Sequence, residues 1–121
     1  MPKRILIVED EPHMLRVTAL SLKKGGYDIL TARNGREGVE LAEREAPALI
    51  VMDVTMPEMD GITALKRLKA TPATAAIPVI MLTSRGQLIA REEAEDSGAT
   101  LFLTKPFSPS ALAAAVRRII G

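Results

Sequence analysis

The sequence predicts an α/β fold, a parallel sheet with helices on both faces, and three observations carry that prediction. Short apolar runs show no polar alternation, longer amphipathic segments separate them, and turn residues mark the joins. A strand that is apolar on both sides is buried on both sides, as helices packed over a parallel sheet require. Ile5-Leu6-Ile7-Val8, Leu49-Ile50-Val51-Met52 and residues 77–82 are such runs, and residues 100–103 form a shorter one. Residues 27–32 are more mixed, the pattern of an edge strand.

The helices follow in order. Pro12 suits a first helical turn, Leu15, Ala19 and Leu22 share one face, and Gly25-Gly26 ends the segment. Asn34 with Glu37 three residues later resembles a capping box, and Pro47 closes that helix. Ile62, Leu65 and Leu68 mark a third helix that stops before Pro72. Residues 87–97, acidic and weakly amphipathic, make a fourth. Ser108-Pro109 opens a fifth, with Leu112, Val116 and Ile119 as its buried stripe. Five strands alternating with five helices through right-handed crossovers leave few arrangements. The leading one is a flavodoxin-like (βα)5 three-layer sandwich with parallel strand order 2-1-3-4-5. Residues 1–121 read as one domain, since no repeat or linker tract divides them.

Composition removes several function classes. Lys and Arg number 16 against 15 Asp and Glu, so no global field draws in nucleic acid, and no basic-aromatic platform offers a local one. Direct nucleic-acid binding by this chain is not expected. The absence of cysteine excludes disulfides, thiolate metal sites and thiol nucleophiles. Lys3-Arg4 precedes an apolar run too short for a secretory signal, and no stretch approaches the roughly 20 apolar residues of a membrane span. A cytoplasmic protein without a membrane partner is the expectation.

Sites in open parallel sheets form outside the carboxyl ends of the strands. The first strand ends in Glu9-Asp10, with Glu11 following, and the third ends in Asp53. The fourth ends in Thr83-Ser84, and the fifth runs into Lys105-Pro106. Gathered carboxylates repel one another unless a cation intervenes. A hard divalent cation suits such oxygen ligands, and magnesium takes one or two carboxylates while keeping waters. Asp53, short and central, is then the natural nucleophile, and its attack on phosphorus gives an acyl phosphate. Lys105 and the cation neutralise charge on the transferring oxygens, and the Thr83 hydroxyl is placed to donate to the phosphoryl group. Taken singly, each of these residues reads as a helix cap, a strand end or a surface charge. Their joint placement carries the inference.

These residues also carry a resemblance. Ile5 to Glu11 resembles the opening strand and acidic pocket of bacterial response-regulator receivers. Asp53-Val54-Thr55-Met56-Pro57-Glu58-Met59-Asp60-Gly61 is similar to their phosphoacceptor motif, D-x-x-M-P-x-x-x-G. Pro78 to Ser84 resembles the fourth strand with its switch hydroxyl, and Gly98-Ala99, Phe102 and Lys105-Pro106-Phe107 resemble the last strand and its lysine-proline corner. The likeness spans essentially the whole chain, in order.

The resemblance implies a phosphorylation-dependent switch of a two-component system, standing alone or cut from a longer regulator. Asp53 would be the phosphoacceptor. Asp10, Asp53 and the Thr55 backbone carbonyl would ligate magnesium, with manganese as an alternative, and Glu9 would act through a metal-bound water. Lys105 would contact the phosphoryl group, from a Lys105-Pro106 peptide expected to be cis. Thr83 and Phe102 would move together on phosphorylation. Thr55 and Arg85 stand at positions that tune phosphoryl lifetime. Neither readily orients an attacking water, so loss over minutes or longer is expected. Ser84 departs from the frequent alanine.

The donor would be a histidine kinase or a histidine phosphotransfer protein. The reader, a downstream protein or a fused output domain, would engage the fourth helix, fifth strand and fifth helix. The chain would be a monomer or a phosphorylation-dependent dimer. It would promote its own aspartyl phosphorylation and dephosphorylation without being a conventional enzyme.

Other features read more simply. His13 is expected on the surface in a first helical turn, and Met52, Met56, Met59 and Met81 in core or loop packing. The charged run at 91–96 is a solvated helix face that also lies on the partner surface. A haloacid-dehalogenase-type enzyme would need an acid where Thr55 stands, and a cap domain. A flavin-binding protein would need a hydroxyl- and glycine-rich loop where Glu9-Asp10-Glu11 stands. An inert, degenerate receiver is opposed by the intact Asp10, Asp53, Thr83 and Lys105.

Overall fold

The computed structural model describes residues 2–54, 56, 59–83, 98–105 and 107–121. Strands β1 (Arg4–Val8), β2 (Asp28–Ala32), β3 (Leu49–Asp53), β4 (Val79–Thr83) and β5 (Leu101–Thr104) form one sheet. Its order is β2-β1-β3-β4-β5, with every pairing parallel. Helices α1 (Pro12–Lys24), α2 (Gly35–Glu45), α3 (Gly61–Ala70) and a C-terminal helix (Pro109–Ile120) cover it. This is the flavodoxin-like order that the sequence predicts. The helix expected over 87–97 lies outside the described residues.

Alternation along the strands distributes the core between two layers. Leu6, Val8, Ile50, Met52, Val79 and Met81 pack with Val39 and Ala42 of α2 and with Ile62, Leu65 and Leu68 of α3. Ile5, Ile7, Leu49, Val51, Ile80 and Leu82 pack with Leu22 of α1 and with Leu112, Ala115 and Val116 of the C-terminal helix. β3 and β4 are buried along their whole length, which is why their sequences show no alternation. β2, at the edge, keeps exposed Asp28 and Thr31, as its mixed sequence requires. The methionines behave as packing residues: Met52, Met56 and Met81 are buried, and Met59 leans on the same core.

Each helix starts on a side-chain cap that satisfies free backbone N–H groups. Asn34 Oδ1 accepts from the Glu37 N–H at 2.8 Å, Asp60 Oδ1 from Thr63 at 2.9 Å, and Ser108 Oγ from Ala111 at 3.1 Å. α1 is capped by Glu11, whose carboxylate accepts from His13 and Met14 at 3.0 and 2.7 Å. α2 ends when Ala46 takes a left-handed φ of 46°, just ahead of Pro47. Lys3 and Arg4, at the entry to β1, fasten two helix ends. The Lys3 ammonium donates to the Ile120 carbonyl, and Arg4 donates to the Glu45 carbonyl and, at 2.8 Å, to its carboxylate. Among the described residues, no helix is long and apolar enough to cross a membrane.

Candidate functional site

Register decides which side chains meet. Val8 lies opposite Met52, so Glu9 and Asp53 leave the sheet side by side. Asp53 pairs with Leu82 on β4, and Thr83 pairs with Thr104 on β5. Lys105 follows directly, its backbone N–H donating to the Thr83 carbonyl at 2.5 Å. Four strand ends therefore bring Glu9, Asp10, Asp53, Thr83 and Lys105 to one rim.

The Lys105 ammonium reaches from β5 past β4 to sit 2.5 Å from Asp53 Oδ2 and 3.3 Å from Glu9 Oε1. Glu9, Asp10 and Asp53 each offer a carboxylate oxygen within 4.8 Å of the others. Glu9 and Asp53 are buried, whereas Asp10 is exposed and opens the cluster to solvent. Among the described residues three carboxylates thus gather beside one ammonium, and the imbalance shows in the titration of Glu9. Burial pushes its pKa up to about 7. The Glu11 N–H, donating to its Oε2 at 3.1 Å, opposes this; the Asp53 charge adds to it, and Lys105 only partly offsets it. Burial would also pull the Lys105 ammonium down, but its bond to Asp53 and the charges of Asp53 and Glu9 outweigh that and raise it. Hard oxygen donors with negative charge in excess are the donor set that a divalent cation takes.

The loop after β3 shows why its motif closes on glycine. Gly61 donates its N–H to the Val54 carbonyl at 2.7 Å and packs directly on the backbone of Asp53. A Cβ there would overlap the Asp53 carbonyl oxygen and crowd Val54 Cα, so no other residue lets α3 start so close to Asp53. Asp60 is spent capping α3. Glu11, grouped with the acids in sequence, is likewise spent capping α1, and its bonds from His13 and Met14 hold its carboxyl below the usual range. His13 is exposed in the first turn of α1 and lines an apolar cavity with Met14, Val17 and Phe107, apart from the carboxylates.

Thr83 is buried at the end of β4, between the strands that carry Asp53 and Lys105. Phe102 is placed on β5 opposite Met81. The Phe102 side chain, Thr55, Ser84, Arg85 and the Lys105-Pro106 peptide with its expected cis geometry lie outside the described residues.

The sequence profile of the response regulator receiver domain matches residues 5–117. The chain belongs to this family. A receiver of two-component signalling is a switch rather than a conventional enzyme. This receiver is 40% identical over 117 residues to the DNA-binding dual master transcriptional regulator RpaA of Synechocystis, covering 97% of this chain and 48% of that protein. It is 38% identical over 119 residues to protein PilH of Pseudomonas aeruginosa, covering 98% of both. The receiver thus spans about half of RpaA and nearly all of PilH. Among solved structures, it superposes with a TM-score of 0.92 and 31% identity on the receiver domain of sensor histidine kinase PA1611 from Pseudomonas aeruginosa, covering 100% of this chain and 99% of that one. That structure holds a magnesium ion in its active-site cleft. Chemotaxis response regulator CheY4 of Vibrio cholerae gives 0.91 and 29%, covering 98% and 99%.

Proposed function

We propose that residues 1–121 act as one receiver unit that accepts a phosphoryl group on Asp53 and answers with a change in partner affinity. The observation that carries this reading is the Lys105 ammonium 2.5 Å from Asp53 Oδ2, with Glu9 and Asp10 beside it. A carboxylate oxygen of Asp53 attacks phosphorus, the new O–P bond forms, and the donor's P–N bond breaks with its electrons returning to the imidazole. Lys105 draws negative charge off the transferring oxygens from a position fixed by β5. Glu9, Asp10, Asp53 and the Thr55 carbonyl would hold magnesium, or manganese, and the excess carboxylate charge fits such an ion. The ion supplies further charge neutralisation at the phosphoryl oxygens.

The Thr83 hydroxyl, at the rim between Asp53 and Lys105, then donates to the phosphoryl group, and Phe102 moves with it. The expected partner surface, the fourth helix with β5 and the C-terminal helix, would change its affinity for a downstream protein or a fused output domain. The donor is a histidine kinase or histidine phosphotransfer protein of the cytoplasm. The receiver promotes both the gain and the loss of its own phosphoryl group, as a monomer or as a dimer formed on phosphorylation. Thr55 and Arg85 leave the attacking water without an orienting carboxylate or carboxamide, so the phosphoryl group persists for minutes or longer.

Incubation with acetyl phosphate and magnesium tests this by intact-protein mass. The wild type gains one phosphoryl group and Asp53→Asn gains none. An unchanged wild type, or equal labelling of the variant, overturns the assignment. With the donor removed, complete loss of label within seconds overturns the slow decay.

A further inference from the structure

At the end of the sheet opposite the site, α3 closes on Lys69, whose ammonium donates to the Ala75 carbonyl at 3.1 Å and the Ile77 carbonyl at 2.7 Å. Those carbonyls lie on the connection that leads through Pro78 into β4. The aliphatic stem of Lys69 runs alongside Gly98, where a Cβ would stand 3.4–3.6 Å from Lys69 Cγ, Cδ and Cε. Gly98 has φ +98°, so another residue there would be strained as well as crowded. Two residues later, Thr100 donates its N–H to Val79 at 2.9 Å and accepts the Val79 N–H on its hydroxyl at 3.3 Å, which registers β5 on β4. One side chain therefore joins the ends of α3, the α3–β4 connection and the turn into β5.

We propose that Lys69 is a positioning residue that pins the entry of β5 to the end of α3, so that Lys105 is presented to Asp53 in register. The proposal rests on Asp53 being the phosphoacceptor. α3 starts against the Asp53 backbone through Gly61 and, at 1.5 Å per residue, runs about 12 Å to Lys69. β5 runs the other way along the same span, from the Gly98 turn to Lys105. Near the site, α3 and β5 both meet Asp53, through Gly61 and through Lys105, and at the far end Lys69 ties them. The near tie must change when a phosphoryl group arrives, whereas the far one contains no reacting group and stays. Lysine suits this place because its methylenes cover the Gly98 turn while its head meets two carbonyls. Burial pulls the ammonium's pKa down, and the two carbonyls replace the water it gives up.

The test compares Lys69→Ala, Lys69→Met and Lys69→Arg in the full chain. It follows amide hydrogen exchange at 98–104 together with the rate of Asp53 phosphorylation by acetyl phosphate at saturating magnesium. Lys69→Ala should speed exchange at Thr100 and through β5 and slow phosphorylation by about 3- to 10-fold, the scale of a modest misplacement. Lys69→Met, which keeps the stem, should fall between, and Lys69→Arg should recover most of the rate. A Lys69→Ala protein that melts lower yet keeps wild-type β5 exchange and phosphorylation rate would show a merely structural residue and overturn the proposal. Should Lys69→Ala not fold, the same outcome in Lys69→Met overturns it. If the wild type itself takes no phosphoryl group on Asp53, the underlying reading fails, and β5 exchange alone decides the tie.

Discussion

Lysine and glutamate stand at both ends of the sheet, and the two ends use them differently. At the amino end, Lys3 donates to the Ile120 carbonyl, Arg4 to Glu45, and Lys69 to Ala75 and Ile77. Each cation there meets the oxygens left over where a helix or turn ends, which complements the helix dipole and closes the backbone's hydrogen-bond account. The Arg4 bond holds the Glu45 carboxyl below its usual range. At the carboxyl end, Glu9 and Asp53 share the Lys105 ammonium with Asp10 close by, and buried Glu9 is driven to about 7. Cations on chain-end carbonyls mark where the chain is held together, and clustered carboxylates mark where a cation and a phosphoryl group would be handled.

The largest effect that separates the two ends should come from Lys105→Met. It removes the one cation paired with Glu9 and Asp53 among the described residues while keeping the stem's bulk. On the proposed mechanism, phosphorylation from acetyl phosphate should slow by ~10²-fold, the scale seen when a donor to developing oxyanion charge is removed. Without divalent cation, the variant should also lose stability at neutral pH, because buried Glu9 and Asp53 both lose their ion pair with Lys105. A rate within about twofold of wild type would show that Lys105 is, like Lys3, only a structural tie.

Glu9→Gln sharpens the comparison through pH. The folded pKa of Glu9 lies at about 7 against 4.5 for the free acid. Below pH 4.5 the group is protonated in both states and costs nothing. Between 4.5 and 7 the unfolded chain ionises first, so stability falls as pH rises. Above 7 the loss is complete, on the order of 3 kcal/mol. Urea unfolding without divalent cation should therefore show wild type losing stability relative to Glu9→Gln across that window. Magnesium at a hundred times its Kd should return about 3 kcal/mol to the wild type. Parallel pH profiles for the two proteins would remove the claim that the site is short of positive charge.

How much of this could be read from sequence follows the same division. The sheet order and both core layers were legible because β1, β3 and β4 are apolar on both faces, a pattern with few explanations. The start of β4 was placed early, since Ile77 looks like strand but gives its carbonyl to Lys69, and Pro78 has no N–H for a ladder. Glu9, Asp10, Asp53, Thr83 and Lys105 were legible because each ends a strand. Glu11 was not separable from its neighbours, because the choice between a pocket and a helix cap depends on where the backbone turns. Gly61 was visible as part of a motif, but its reason, contact with the Asp53 carbonyl, needs the fold. Lys69 gave no signal at all. A lysine near the end of an amphipathic helix reads as a solvated charge, and only tertiary structure brings Gly98 and two carbonyls to it.

The smallest effect tests the quiet end. Thr74 is buried in the α3–β4 connection, and its hydroxyl donates to the Leu68 carbonyl at 2.7 Å. Thr74→Val keeps the shape and removes that bond. Leu68 still accepts from the Thr71 N–H at 3.3 Å, so its oxygen is weakened in partnership rather than orphaned. The expected loss is about 1 kcal/mol in urea unfolding, the ordinary net worth of one hydrogen bond. Because neither group titrates, the loss should be the same at pH 5 and pH 8, with and without magnesium. The rate of Asp53 phosphorylation should not change. A pH- or magnesium-dependent loss would mean that the two ends of the sheet are electrostatically coupled, and the division of labour between them would have to be given up.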